Sequence, residues 1–205
     1  MYKQLKDRWL HLNEFENGFL SDDLFKIVCT KYSEKHRYYH TLDHIKSCLS
    51  IFDEISYDIK DAQIFEIALW LHDVIYNPKE TNNEEQSTLF ASELLSDAGF
   101  DGAYIEAVNV LIMATKHPSI PLTIEEKYIV DIDLAILGTT GDIYDSYSDK
   151  IKKEYCHIPL YLYKRGRKKV LQSFLKQKSI YKTEYFVSKY ELHARANLER
   201  EMSHL

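Results

Sequence analysis

The sequence predicts an all-α protein, and three observations carry that prediction. Only 6 Gly and 4 Pro occur in 205 residues, too few for the turn every few residues that a β-sandwich needs. Apolar residues recur every three or four positions along most of the chain, the period of a helix with one buried face. Capping and breaking residues fall between those periodic stretches and not inside them.

Leu5, Trp9, Leu12 and Phe15 predict a first helix that ends near Asn17-Gly18. Ser21, followed by Asp22 and Asp23, reads as the N-cap of a second helix through Leu24, Ile27 and Val28 to about Ser33. A short hydroxyl side chain accepts from the exposed N–H groups there, and acids suit the positive end of the helix dipole. A basic, aromatic connector, KHRYYH, follows. From Thr41 a third helix is expected to about Ser56, and Asp61 caps a fourth that runs to about Ile75. Asn77-Pro78 ends the fourth, because proline pushes the preceding residue out of the α region. Next come Asn83 to Ala98, stopped by Gly99, then Ala103 to Lys116, stopped before Pro118, and Ile124 to Leu137, stopped by Gly138. Three more polar helices close the chain: Asp142 to His157, Leu160 to Lys178 and Thr183 to Ser203. No repeat and no long linker interrupts the series, so one domain is expected over residues 1–205, its core about 21–138 and its C-terminal helical extension about 142–203.

Charge and cysteine usage exclude several classes. The net charge is −6, and the basic residues are scattered except for KRGRKK at Lys164 to Lys169, read as a solvated helix face. Nucleic acid is therefore disfavoured as a partner. Cys29, Cys48 and Cys156 are odd in number and lack C-x-x-C spacing, which indicates neither a disulfide framework nor a thiolate zinc site and fits a reducing cytoplasmic setting. The amphipathic, acid-bearing N-terminus lacks a signal-peptide run, and nowhere do eighteen apolar residues stand together. Neither export by that route nor a membrane partner is expected, and a homodimer is left open.

The residues able to do chemistry are His40, His44, His72, Asp73, Asp131 and Asp133. In HTLDH, His40 and His44 are four apart, so on a helix or its first turn they share a face. His72 shares the apolar stripe of Ile64, Ala68 and Ile75 and points to the core, with Asp73 beside it. Asp131 and Asp133 lie within Ile129 to Leu137, a run so apolar that two carboxylates are costly to bury without a cation or a hydrogen-bond network. Imidazoles and carboxylates from three helices suit a divalent ion of borderline hardness (Mn, Fe, Mg, Ni or Zn) in a hydrolytic role, since closed structural zinc sites are usually built from cysteine. A zinc-peptidase H-E-x-x-H ranks well below this, because Thr41 stands where its glutamate is required.

The order His, His-Asp, Asp on successive helices, carried by YHTLDHI, LHDVIYNP and VDIDLAILG, resembles the HD superfamily of metal-dependent phosphohydrolases, specifically its small bacterial branch of predicted hydrolases. NNEEQS, ATKHP, IYKTEYF and ARANLERE extend the likeness over most of the chain. The resemblance implies an HD-like helical bundle that cleaves a phosphate ester of a nucleotide or other small molecule with a cation-activated water. YHTLDH is also similar to the histidine pair of cyclic-nucleotide phosphodiesterases. That likeness implies His40 as proton donor and His44, His72 and Asp73 as metal ligands, with Asp73 also orienting the water. The family pattern of Asp followed by Leu fits Asp133 better than Asp131 as the last ligand. Cyclic nucleotide itself does not carry over, because the phosphodiesterase catalytic domain is far larger. Arg37 and Lys35, just before His40, are expected to meet the substrate phosphate. His117, in ATKHP, is the candidate for a second metal or a substrate contact. The alternative is a non-catalytic metal- or nucleotide-binding regulatory protein on the same scaffold.

Overall fold

The computed structural model describes residues 2–14, 18–118 and 120–205. Among them are ten α-helices, three short 3-10 stretches and no strand, so the all-α prediction holds. The chain divides into two compact units, Met1–Ile129 and Val130–Leu205. The division falls earlier than the break at Gly138 used in reading the sequence.

The first unit holds α1 (Tyr2–His11), α2 (Asp22–Tyr32), α3 (Leu42–Ile55), α4 (Ala62–Leu71), α5 (Asn83–Asp97), α6 (Gly102–Ala114) and the start of α7 (Ile124–Asp133). Its centre is α4, in which Gln63 and every residue from Phe65 to Leu71 are buried. A helix apolar on nearly all sides must be surrounded, and α3, α5 and α6 pack on it. Its polar side chains are matched from outside. Glu66 receives Arg8 of α1 through Nε and Nη2 at 2.8 and 2.9 Å, and Gln63 donates to the Leu12 carbonyl at 2.7 Å. Trp9 meets Trp70 edge to face at 5.5 Å. The predicted caps are in place: Ser21 Oγ accepts from Leu24 N, and Asp61 from Ile64 N. Gly99 stops α5 with φ +88°, a left-handed turn that lacks steric cost only for glycine.

The second unit holds the end of α7, the 3-10 stretch Leu134–Gly138, α8 (Gly141–Glu154), α9 (Leu160–Leu175) and α10 (Glu184–His204). Here α10 packs on Leu134–Gly138 and on α9. A Cβ on Gly138 would stand 2.6 Å from Tyr190, so glycine is what lets α10 approach. Asn197 donates to the carbonyls of Leu137 and Thr139 at 2.9 Å each. Arg167 of α9 forms a two-point pair with Glu201 of α10 at 2.8 and 3.0 Å, and Tyr144 of α8 donates to the same carboxylate.

Several boundaries differ from the sequence reading. The first helix ends at His11 and continues as a 3-10 turn, Leu12–Glu14, while Phe15 and Asn17 lie outside the described residues. Two other differences bear on the site. α4 ends at Leu71 and not near Ile75, and α7 tightens into 3-10 turns after Asp133.

Candidate metal centre

His44 lies one turn into α3, buried, with the Tyr39 ring centroid 4.8 Å from its own and Cys48 Sγ 3.7 Å from both of its ring nitrogens. His72 occupies the C-cap of α4 and is 1% exposed. Its Nδ1 stands 2.9 Å from the Leu69 carbonyl. A carbonyl only accepts, so Nδ1 carries the proton and Nε2 presents its lone pair. Imidazoles that bind metals are commonly oriented by such a bond to a backbone carbonyl.

That lone pair faces the other donors. His72 Nε2 lies 3.2 Å from His44 Nε2 and 3.2 Å from Asp73 Oδ2, and His44 Nε2 lies 3.5 Å from the same oxygen. Ligands about 2.1 Å from one ion stand roughly 3.0 Å apart at right angles and roughly 3.4 Å apart at the tetrahedral angle. Two sides of the observed triangle fall in that interval and the third lies just above it. Two neutral nitrogens and one carboxylate oxygen, largely removed from water, can hold a divalent cation.

The early end of α4 makes this convergence possible. On a continued helix, His72 and Asp73 would project about 100° apart. The turn from Asp73 to Tyr76 is instead held by side chains from elsewhere. Arg37 Nη1 donates to the carbonyls of Asp73 (2.7 Å) and His40 (3.1 Å), and Nη2 donates to that of Val74 (2.9 Å). Ser87 Oγ accepts from Ile75 N and donates to Ile75 O. Asn83 binds the N–H and carbonyl of Asn77, and His36 Nε2 donates to the Tyr76 carbonyl at 2.7 Å. These groups satisfy backbone carbonyls of residues 73–77, in the turn beyond α4, that no continuing helix pairs. Ser87 and Asn83 act through backbone atoms, and no spacing in the sequence marks them for that role.

Two expectations are corrected. Arg37 does not offer its guanidinium to a phosphate. Its side chain is fully buried, Nε pairs with Glu34 at 3.1 Å, and Tyr32 and Tyr76 rings flank it at 5.2 and 5.6 Å. Four of its N–H donors are thus committed inside the protein. His40 also departs from the helical reading: it precedes Thr41, the N-cap of α3. Its half-exposed ring stacks on Tyr76 at 3.9 Å and stands 6.1 Å from the His44 ring. Stacking, and not helical periodicity, sets it beside His44.

The remaining residues are placed as follows. Lys35 is exposed in the turn after α2, and His117 is exposed beyond the end of α6, where the neighbouring Lys116 pairs with Glu85. Glu84, on the first turn of α5, has its carboxyl raised above the ordinary value by burial, to which the charge of Asp73 adds. Asp133 is the last residue of α7, in the second unit, and is half-buried. Asp131, fully buried in that unit, accepts from Lys182 N (2.7 Å), Thr183 N (2.8 Å) and Thr183 Oγ1 (2.7 Å). Its carboxylate therefore anchors the start of α10, and burial pushes it up to about 6 against those hydrogen bonds.

No protein-family model, curated protein or solved structure matches the chain.

Proposed function

We propose that this protein is a metal-dependent phosphohydrolase of the HD type, in which His44, His72 and Asp73 hold one divalent cation. The observation that carries the reading is the triangle of His44 Nε2, His72 Nε2 and Asp73 Oδ2, with the His72 lone pair fixed by the bond at Nδ1. The His-Asp doublet and the Asp-Leu pair of the sequence support it from outside the geometry. Asp131 is withdrawn as a ligand because its carboxylate already receives three donors from residues 182 and 183.

A divalent ion at such a site lowers the pKa of coordinated water and polarises a phosphoryl oxygen. His40 serves as the proton donor to the departing oxygen. Tyr76 orients that ring by stacking, and the Arg37 brace holds the backbone of His40 and Asp73 in one register. Lys35, exposed on the same connector, is the basic residue left to approach a bound phosphate. The substrate is a small phosphate ester, a nucleotide among the options. Three free cysteines, two of them buried, support a reducing compartment, and no helix among the described residues is long and apolar enough to cross a membrane.

Elemental analysis of protein purified without chelator or nickel, beside Asp73→Ala, tests the site. About one divalent ion per chain, absent from the variant, is expected. Release of phosphate from a panel of phosphate esters in the same metal then tests the activity. Wild-type protein that neither carries nor takes up metal overturns the site, and metal content without turnover of any ester moves the reading to a binding protein.

A further inference from the structure

The charge of the chain is divided unevenly. Residues 1–129 carry 12 Lys/Arg against 22 Asp/Glu, whereas residues 130–205 carry 14 against 10. The positive charge is concentrated further still: residues 155–183 contain eight Lys/Arg and no Asp or Glu. Such asymmetry between parts of a chain points to an anionic partner.

The structure sorts these cations by face. Tyr163, Arg167 and Leu171 are buried and form the inward line of α9 at every fourth residue, with Arg167 committed to Glu201. At about 100° per residue the opposite side carries Tyr161, Leu162, Arg165 and Lys169, with Lys168 at its margin and Lys176 at the C-cap beyond, all exposed. From Arg165 to Lys176 this row extends about 16 Å along the helix. Apolar groups stand among the cations: Tyr161 is 71% exposed and Leu162 41%. Gly166 lies between the cations with nothing within 4 Å of where its Cβ would be. Glycine weakens an exposed helix interior, and packing supplies no reason for it here, whereas close approach of the helix backbone to a surface does.

We infer that the outward face of α9 binds an anionic lipid surface, lying in the headgroup plane without crossing the bilayer. Cations alone would suit any polyanion. The companions of these cations are aliphatic and phenolic side chains, which enter the boundary between headgroup and acyl chain while Lys and Arg reach the phosphates. Readers of nucleic acid set polar donors or stacked aromatic platforms among their cations, and the aliphatic Leu162 offers neither. With a net charge of −6 the whole molecule is repelled by an anionic membrane, so attraction must act locally, within about a Debye length of 8–10 Å. Binding is therefore steeply sensitive to salt.

The test uses the full chain and co-sedimentation with phosphatidylcholine vesicles, with and without phosphatidylglycerol. Wild-type protein is expected to bind only the anionic vesicles and to be released by added salt. The triple variant Arg165→Glu, Lys168→Glu, Lys169→Glu should bind at least tenfold more weakly, and Tyr161→Ser with Leu162→Ser severalfold more weakly. All five positions are exposed, and circular dichroism verifies that the helices persist. Failure of the wild type to bind anionic vesicles, or undiminished binding by the triple variant, overturns the inference. Capture of a labelled oligonucleotide without vesicle binding gives the face to nucleic acid and likewise overturns it.

Discussion

Replacing Arg37 with lysine separates a brace from a substrate contact, because it keeps the charge and removes the fork. The guanidinium spans three backbone carbonyls, those of His40, Asp73 and Val74, at 2.7–3.1 Å, and one ammonium cannot reach all three. If lysine retains one of them, two hydrogen bonds from a charged donor are lost, at about 1.5–3 kcal/mol each before relaxation. A loss of about 3 kcal/mol is expected, which for a chain of this size corresponds to a fall in melting temperature of roughly 6–12 °C. Urea unfolding followed by circular dichroism measures it, with Arg37→Met as the limiting case. A mere phosphate contact predicts the reverse pattern, stability unchanged and ester binding weakened. Unfolding of Arg37→Lys within about 0.5 kcal/mol of wild type, the usual range for an inconsequential surface change, would refute the brace.

Asp131→Ala leaves three donors at residues 182 and 183, two of them buried, without an acceptor, so a loss of about 3 kcal/mol is expected, with metal content unchanged. A folded variant lacking metal would instead restore Asp131 as a ligand. His40→Ala should retain metal and slow hydrolysis of esters with poor leaving groups by about 10²–10⁴; unchanged rates remove it as proton donor. Burial opposes ionisation of Glu201, but hydrogen bonds and charge from Arg167, with Tyr144, hold its carboxyl below the ordinary glutamate value. The folded value thus lies below the unfolded one, near 4.3, so the stabilisation is complete above that pH and disappears as pH falls through the folded value. Glu201→Gln should flatten the acid limb of stability against pH, and an unaltered slope between pH 5 and 3 speaks against the pairing.

The sequence by itself determined the helical class, the order of the helices and the identity of the chemical groups. Periodicity and caps are local, and Ser21, Asp61 and Gly99 act within four residues of where they stand. Burial of His72 followed the same way from its place on an apolar stripe. Tertiary structure decided what the local pattern leaves open. Arg37 reads as a surface cation beside a histidine motif until the carbonyls of residues 73 and 74, distant in sequence, take up its donors. Asp131 and Asp133 are alike in composition and separated by one residue, and only the backbone of residues 182 and 183 distinguishes them. The end of α4 at Leu71 has the same origin: nothing in LHDVIY breaks a helix before Pro78, and the break comes from distant side chains that bond the carbonyls of residues 73–75 in place of another helical turn. Side-chain chemistry and period are properties of neighbours in the chain, whereas which donor satisfies which buried acceptor is settled only when distant segments meet.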